Sequence, residues 1–164
     1  PEGRGEQEYS PSLQGEGRGV GLRAAASPIE HPCVTEPLKR LEARGVPVAW
    51  LPADSRGVVR RDAHPPHAGL VCLMLANHET GAVQPVRAVT DSLPPGARLH
   101  CDAAQAVGKV PVHFASLGAT TLTASAHKFG GPKGVGVLLT RRGTELTPLT
   151  FGGHQQGGRR PGTE

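Results

Sequence analysis

Aromatic residues are scarce in this 164-residue chain: three Phe, one Trp and one Tyr, 3% of the total. Proteins that grip nucleic acid pair a concentrated basic face with aromatic stacking partners. Here eighteen Lys and Arg against fourteen Asp and Glu give a formal charge of only +4, with arginines scattered as Arg60-Arg61, Arg141-Arg142 and Arg159-Arg160. The charge reads as solvated surface, and no nucleic-acid partner is expected. Cysteine is also sparse. Cys33, Cys72 and Cys101 are odd in number and form no C-x-x-C pair, so neither a disulfide framework nor a zinc site is suggested, and a reducing cytoplasm fits best. No apolar run approaches a membrane span, and the N-terminus lacks the apolar core of a signal peptide, so a soluble chain without a membrane partner is expected. His64-Pro65-Pro66-His67 has ligand-like spacing. Its prolines exclude the helical face that would converge both rings, and no metal is expected.

What the chain does have is glycine and proline punctuation between short apolar runs. Residues 1–27 are rich in Gly, Glu, Arg and Ser and carry few large apolar side chains, which reads as a disordered or low-complexity segment. Residues 28–164 read as one partial domain. From Val34 the pattern is helical, with Val34, Leu38 and Leu41 on one face and Gly45 as a stop. A strand is expected over 46–51 and a loop over 54–69. Residues 70–76 (LVCLMLA) are apolar without alternation, as in a central parallel strand covered on both faces, which makes Cys72 a buried small hydrophobe. A short helix over 85–92, strands over 98–101, 119–124 and 135–139, and a flexible glycine loop over 151–158 complete the reading. Alternating strands and helices imply an α/β fold, a mainly parallel sheet with helices on both faces.

Asp102 and Lys128 each follow an apolar run, so both emerge at strand ends, where open α/β sheets place ligand chemistry. A partly buried lysine can condense with an aldehyde, and pyridoxal phosphate is the commonest such aldehyde. That cofactor needs a carboxylate to keep its pyridine nitrogen protonated, and Asp102 can supply one.

Asp102-Ala103-Ala104-Gln105, then Ser125-Ala126-His127-Lys128 followed by Phe129-Gly130-Gly131-Pro132-Lys133-Gly134, with Asn77-His78-Glu79-Thr80-Gly81 upstream, closely resemble the cysteine desulfurase and selenocysteine lyase family. The resemblance runs in order from about Ile29 to Glu164. It implies the middle of a fold-type I large domain, with pyridoxal 5'-phosphate as cofactor. It also implies removal of sulfur or selenium from cysteine or selenocysteine to leave alanine, in a lineage tied to iron-sulfur cluster assembly. By resemblance, Lys128 joins the cofactor's aldehyde carbon and His31 stacks on its ring as a second catalytic group. Asp102 meets the ring nitrogen, Asn77 and Gln105 the phenolic oxygen, Ser125 and His127 the phosphate, and Thr163 the phosphate of a neighbouring subunit. The last role implies a homodimer, and a sulfur-acceptor protein is a further partner.

Each residue also has a plainer reading. Lys128 alone would be a surface lysine, Asp102 a helix N-cap, Asn77 a turn residue, His31 a loop histidine and Thr163 part of a frayed end. Relatives usually carry Asn where this chain has His78. The family's glycine- and threonine-containing phosphate loop has no match in residues 1–27. The persulfide-forming cysteine and the carboxylate-binding arginine of the family lie later than this sequence reaches. The expectation is a chain truncated at both ends and without desulfurase turnover by itself, the alternative being a non-catalytic degenerate fragment that at most binds cofactor or a partner.

Overall fold

The computed structural model describes residues 23–60, 62 and 67–162. Six strands form one sheet: β1 (Ala24–Ala26), β2 (Val48–Trp50), β3 (Leu70–Cys72), β4 (Arg98–Asp102), β5 (Thr121–Ser125) and β6 (Gly136–Thr140). Their spatial order is β2-β1-β3-β4-β5-β6. The first five run parallel and β6 is antiparallel to β5, so the sheet is mixed and mostly parallel. Helix α1 (Pro32–Ala43) follows β1, α2 (Val86–Ser92) precedes β4, and α3 (Phe114–Leu117) precedes β5.

Strand alternation divides the apolar residues between two layers. Ala25, Val71, Leu73, Leu99, Cys101 and Leu122 enter the larger core, with Val86 and Val89 of α2 and, at its margin, Leu117 of α3. Ala24, Ala26 and Cys72 face the other way, onto Leu38, Val34 and Leu41 of α1. Beyond Cys72 the chain stays paired with β4, since Leu73 N–H donates to His100 O (3.0 Å) and Leu75 N–H to Asp102 O (2.8 Å). Residues 71–77 are therefore buried without interruption, as the unalternating apolar run implied.

Helix α1 ends as its sequence indicates. Gly45 takes φ +87°, its N–H reaches Glu42 O (2.9 Å), and Val46 N–H reaches Leu41 O (3.0 Å), which satisfies two of the last carbonyls.

The reading of residues 1–27 as disordered needs correction at its end. Residues 1–22 lie outside the described residues, but Ala24–Ala26 form a fully buried strand between β2 and β3. Alanine is a weak strand former, and a three-residue strand vanishes in a window dominated by Gly, Glu and Arg. What holds it is hydrogen bonding to a neighbour on each side, with methyl groups small enough to fit beneath both layers. The expected glycine loop near the C-terminus contains a 3-10 turn, Gln155–Gly158.

Candidate active site

Because five strands are parallel, the chain leaves them on one edge of the sheet. Leu99, Cys101 and Leu122 point into the larger core, which leaves His100 and Asp102 of β4 and Thr121, Thr123 and Ser125 of β5 on the opposite face. The register sets His100 beside Thr121 and Asp102 beside Thr123. His100 Nδ1 lies 2.9 Å from Thr121 Oγ1. On this face α1 packs over β1, β2 and β3, and only its first turn reaches the cleft that opens above β4 and β5.

That cleft has a volume of ≈510 Å³, and His31, Asp102, Gln105, Ser125, His127 and Lys128 all line it. His31 is the N-cap of α1: its Nδ1 accepts from Cys33 N–H at 3.1 Å. With that nitrogen accepting, the neutral ring carries its proton on Nε2. Its ring meets that of His78 edge-on, with centroids 5.1 Å apart. Asp102 combines its two expected readings, since Oδ1 accepts from Ala104 N–H at 2.8 Å and so caps the turn after β4 while the residue lines the cleft. Gln105 Oε1 accepts from Lys109 Nζ. Lys128 forms neither hydrogen bond nor ion pair among the described residues, so it does not close onto Asp102.

The backbone around Lys128 is packed tightly. A Cβ at Gly131 would fall 2.8 Å from Ala126 Cβ, and one at Gly108 would fall 2.6 Å from Phe129 Cβ. Side chains at these glycines would push the 3-10 turn Ala126–Lys128 out of place.

Asn77 departs from the expected convergence. It is 5% exposed and is not on the cleft wall. Its Nδ2 donates to Ile29 O (2.8 Å) and Met74 Sδ (3.4 Å), while Oδ1 accepts from Glu79 N–H, Thr80 N–H and Thr80 Oγ1. The amide is committed to its own turn and to the turn before His31, because buried polar atoms take the nearest partners. Thr163, the remaining expected site residue, lies outside the described residues.

Several wall residues were not singled out from sequence: Cys33, Met74, Thr123 and His100. His100 was findable, since alternation along β4 sets it on the face of Asp102. Burial pushes its imidazole pKa down, against the raising influence of Asp102. Glu30 sits just behind the wall, 5% exposed. Its Oε1 accepts from Met74 N–H at 2.7 Å, and Oε2 has no hydrogen-bond partner among the described residues. Burial, aided by the charge of Asp102, raises its carboxyl to about 7 against the lowering effect of the Met74 N–H. Burial likewise pushes the Cys72 and Cys101 thiols up to about 12.

The residues present fit pyridoxal phosphate: an unpaired amine, a carboxylate with one oxygen uncapped, an imidazole and hydroxyl and imidazole donors border one cleft. A mostly parallel sheet with a lysine and a carboxylate at the ends of adjacent strands defines the fold-type I class of pyridoxal-phosphate-dependent enzymes. Within that class the chain belongs to the aminotransferase class-V family, whose sequence model matches residues 16–157. It is 43% identical over 143 residues to a cysteine desulfurase of Klebsiella pneumoniae, a match covering 84% of this chain and 36% of that protein. It is 40% identical over 149 residues to cysteine desulfurase IscS of Dictyoglomus turgidum, covering 88% and 38%. Among solved structures, a NifS-like protein superposes with TM-score 0.81 at 40% identity, covering 87% of this chain and 41% of that one. SspA in complex with cysteine gives 0.77 at 33% identity, covering 87% and 43%. The chain thus spans little more than a third of the length of the curated relatives it matches.

Proposed function

We propose that this chain is the cofactor-holding portion of a cysteine desulfurase-like enzyme acting on cysteine or selenocysteine. The observation that carries the reading is a cleft in which Lys128, free of any counter-ion among the described residues, shares a wall with Asp102. Pyridoxal phosphate, when bound, supplies an electron sink for the bonds around the substrate's α-carbon. The chain supplies the rest. Lys128 offers the amine for the aldehyde and moves protons. Asp102 presents its uncapped oxygen to the ring nitrogen. His31, its Nδ1 tied to the helix, stacks on the ring and holds a proton at Nε2. Gln105 faces the phenolic oxygen, and Ser125 and His127 donate to the phosphate. The cysteine-bound state of SspA supports cysteine as substrate. A homodimer with Thr163 reaching across, a sulfur-acceptor protein and a cytoplasmic setting belong to the same proposal.

The test is borohydride reduction of the chain mixed with pyridoxal phosphate, followed by peptide mass mapping. The expected label is on Lys128, lost in Lys128→Ala and weakened in Asp102→Ala. Equal labelling of Lys39, Lys109 and Lys133 would overturn the reading.

A second reading, cofactor binding without turnover, is favoured by the thiols. Burial pushes the Cys72 and Cys101 thiols up to about 12, and burial with the charge of Asp102 also raises that of Cys33, the exposed thiol on the cleft wall, so all three favour the thiol over the thiolate that would receive sulfur. Sulfide release from cysteine by this chain alone, with cofactor and reductant, is expected to match that of free pyridoxal phosphate.

A further inference from the structure

We propose that Glu30 is a positioning residue for the cleft, a neutral carboxyl that fastens the turn carrying His31 to the end of β3 and loosens that turn when it ionises. Besides the bond from Ser27 N–H to Cys72 O at 3.2 Å, which continues the strand pairing, the turn after β1 touches the continuation of β3 through two further long-range hydrogen bonds. Asn77 Nδ2 donates to Ile29 O at 2.8 Å, and Met74 N–H donates to Glu30 Oε1 at 2.7 Å. The first bond involves no titratable group. The second ends on a carboxyl that is 5% exposed and whose other oxygen has no partner among the described residues.

An ionised Glu30 would hold a dry, buried negative charge answered only by the Met74 N–H and the nearby Ser27 hydroxyl, which lower the carboxyl pKa by less than burial raises it. The titratable groups facing it are Cys33 of α1, Cys72 of β3, and Cys101 and Asp102 of β4, none of which brings a positive charge. His31 follows it in the chain, with Nδ1 engaged as the cap of α1. The Met74 bond is itself stronger to the carboxylate, but the cost of burying the charge outweighs it, so the closed turn is most stable with the proton on Oε2. The raised carboxyl pKa, about 7, agrees with this geometry. Near neutrality the proton is therefore divided between two states, one with the His31 turn fastened and one with it loosened.

The purpose of the fastening, holding His31 against a cofactor ring, rests on the function proposed above. The fastening itself is tested without cofactor, so its failure is separate from failure of Lys128 to capture the aldehyde. On the full chain, carbon-detected NMR follows the Glu30 carboxyl while amide hydrogen exchange, corrected for intrinsic rates, follows Met74, Val34 and Leu122. Between pH 6 and 8 the protection of Met74 and Val34 is expected to fall roughly tenfold in the wild type, with Leu122 unchanged. Glu30→Gln retains an acceptor for Met74 without the charge, and its protection is expected to be independent of pH. A Glu30 carboxyl titrating in the ordinary range near 4.5, or the same fall in Glu30→Gln, would overturn the proposal. Should Glu30→Gln fail to fold, the carboxyl titration of the wild type decides.

Discussion

Glu30 also gives the fold a dependence on pH whose sign follows from its surroundings. Its carboxyl is raised from 4.5 unfolded to about 7 folded, so the folded state holds the proton more tightly. The stabilisation is fully present below pH 4.5 and is lost as pH rises through 7. At 1.36 kcal/mol per pH unit, that difference amounts to roughly 3 kcal/mol across the window. Urea unfolding of wild type and Glu30→Gln at pH 5 and pH 8 checks it: the wild type is expected to lose stability relative to the variant, and equal slopes would refute the assignment. Nothing in Ile-Glu-His-Pro distinguishes Glu30 from a surface glutamate, because its partner, the Met74 N–H, belongs to a distant strand end. His31, Asp102 and Lys128 were legible because they sit in local motifs. Asn77 was equally legible as a motif residue, yet its amide turned to Ile29 and Met74, partners that no local pattern displays.

At the scale of elements, what could be read was whatever had a period or a punctuation mark. The 3.6-residue spacing of Val34, Leu38 and Leu41 and the glycine at 45 place α1, and the short apolar runs before Asp102 and Ser125 place β4 and β5. β1 has neither signal. Its three alanines are strand only because β2 and β3 flank them, with Ala25 and Ala26 wholly buried. That dependence makes the strand intolerant of bulk. Ala25→Leu is expected to destabilise the chain by about 1–3 kcal/mol through overpacking between the larger core and the sheet. A denaturant midpoint unchanged from wild type would show that the site has more room than the burial implies.

Over the whole molecule, burial is uneven. Helices cover β1 and β3 on both faces and β4 on one, whereas the edge strand β6 exposes Val137, Leu138 and Leu139 at 46%, 50% and 40%, and Phe129 is exposed at 45%. An apolar edge strand with one unpaired side is a template for association. Sedimentation velocity is expected to show concentration-dependent self-association of this chain, reduced by Leu138→Lys. A monomer at every concentration would contradict it. The strand order carries a further consequence in time. The cleft is lined both by the first turn of α1 and by Ser125, His127 and Lys128, about ninety residues later in the chain. Contacts of such sequence separation form late, and a chain made from its N-terminus cannot close the cleft until Lys128 has left the ribosome. Cofactor capture therefore cannot guide the folding of anything made before Lys128, strands β1 to β5 included.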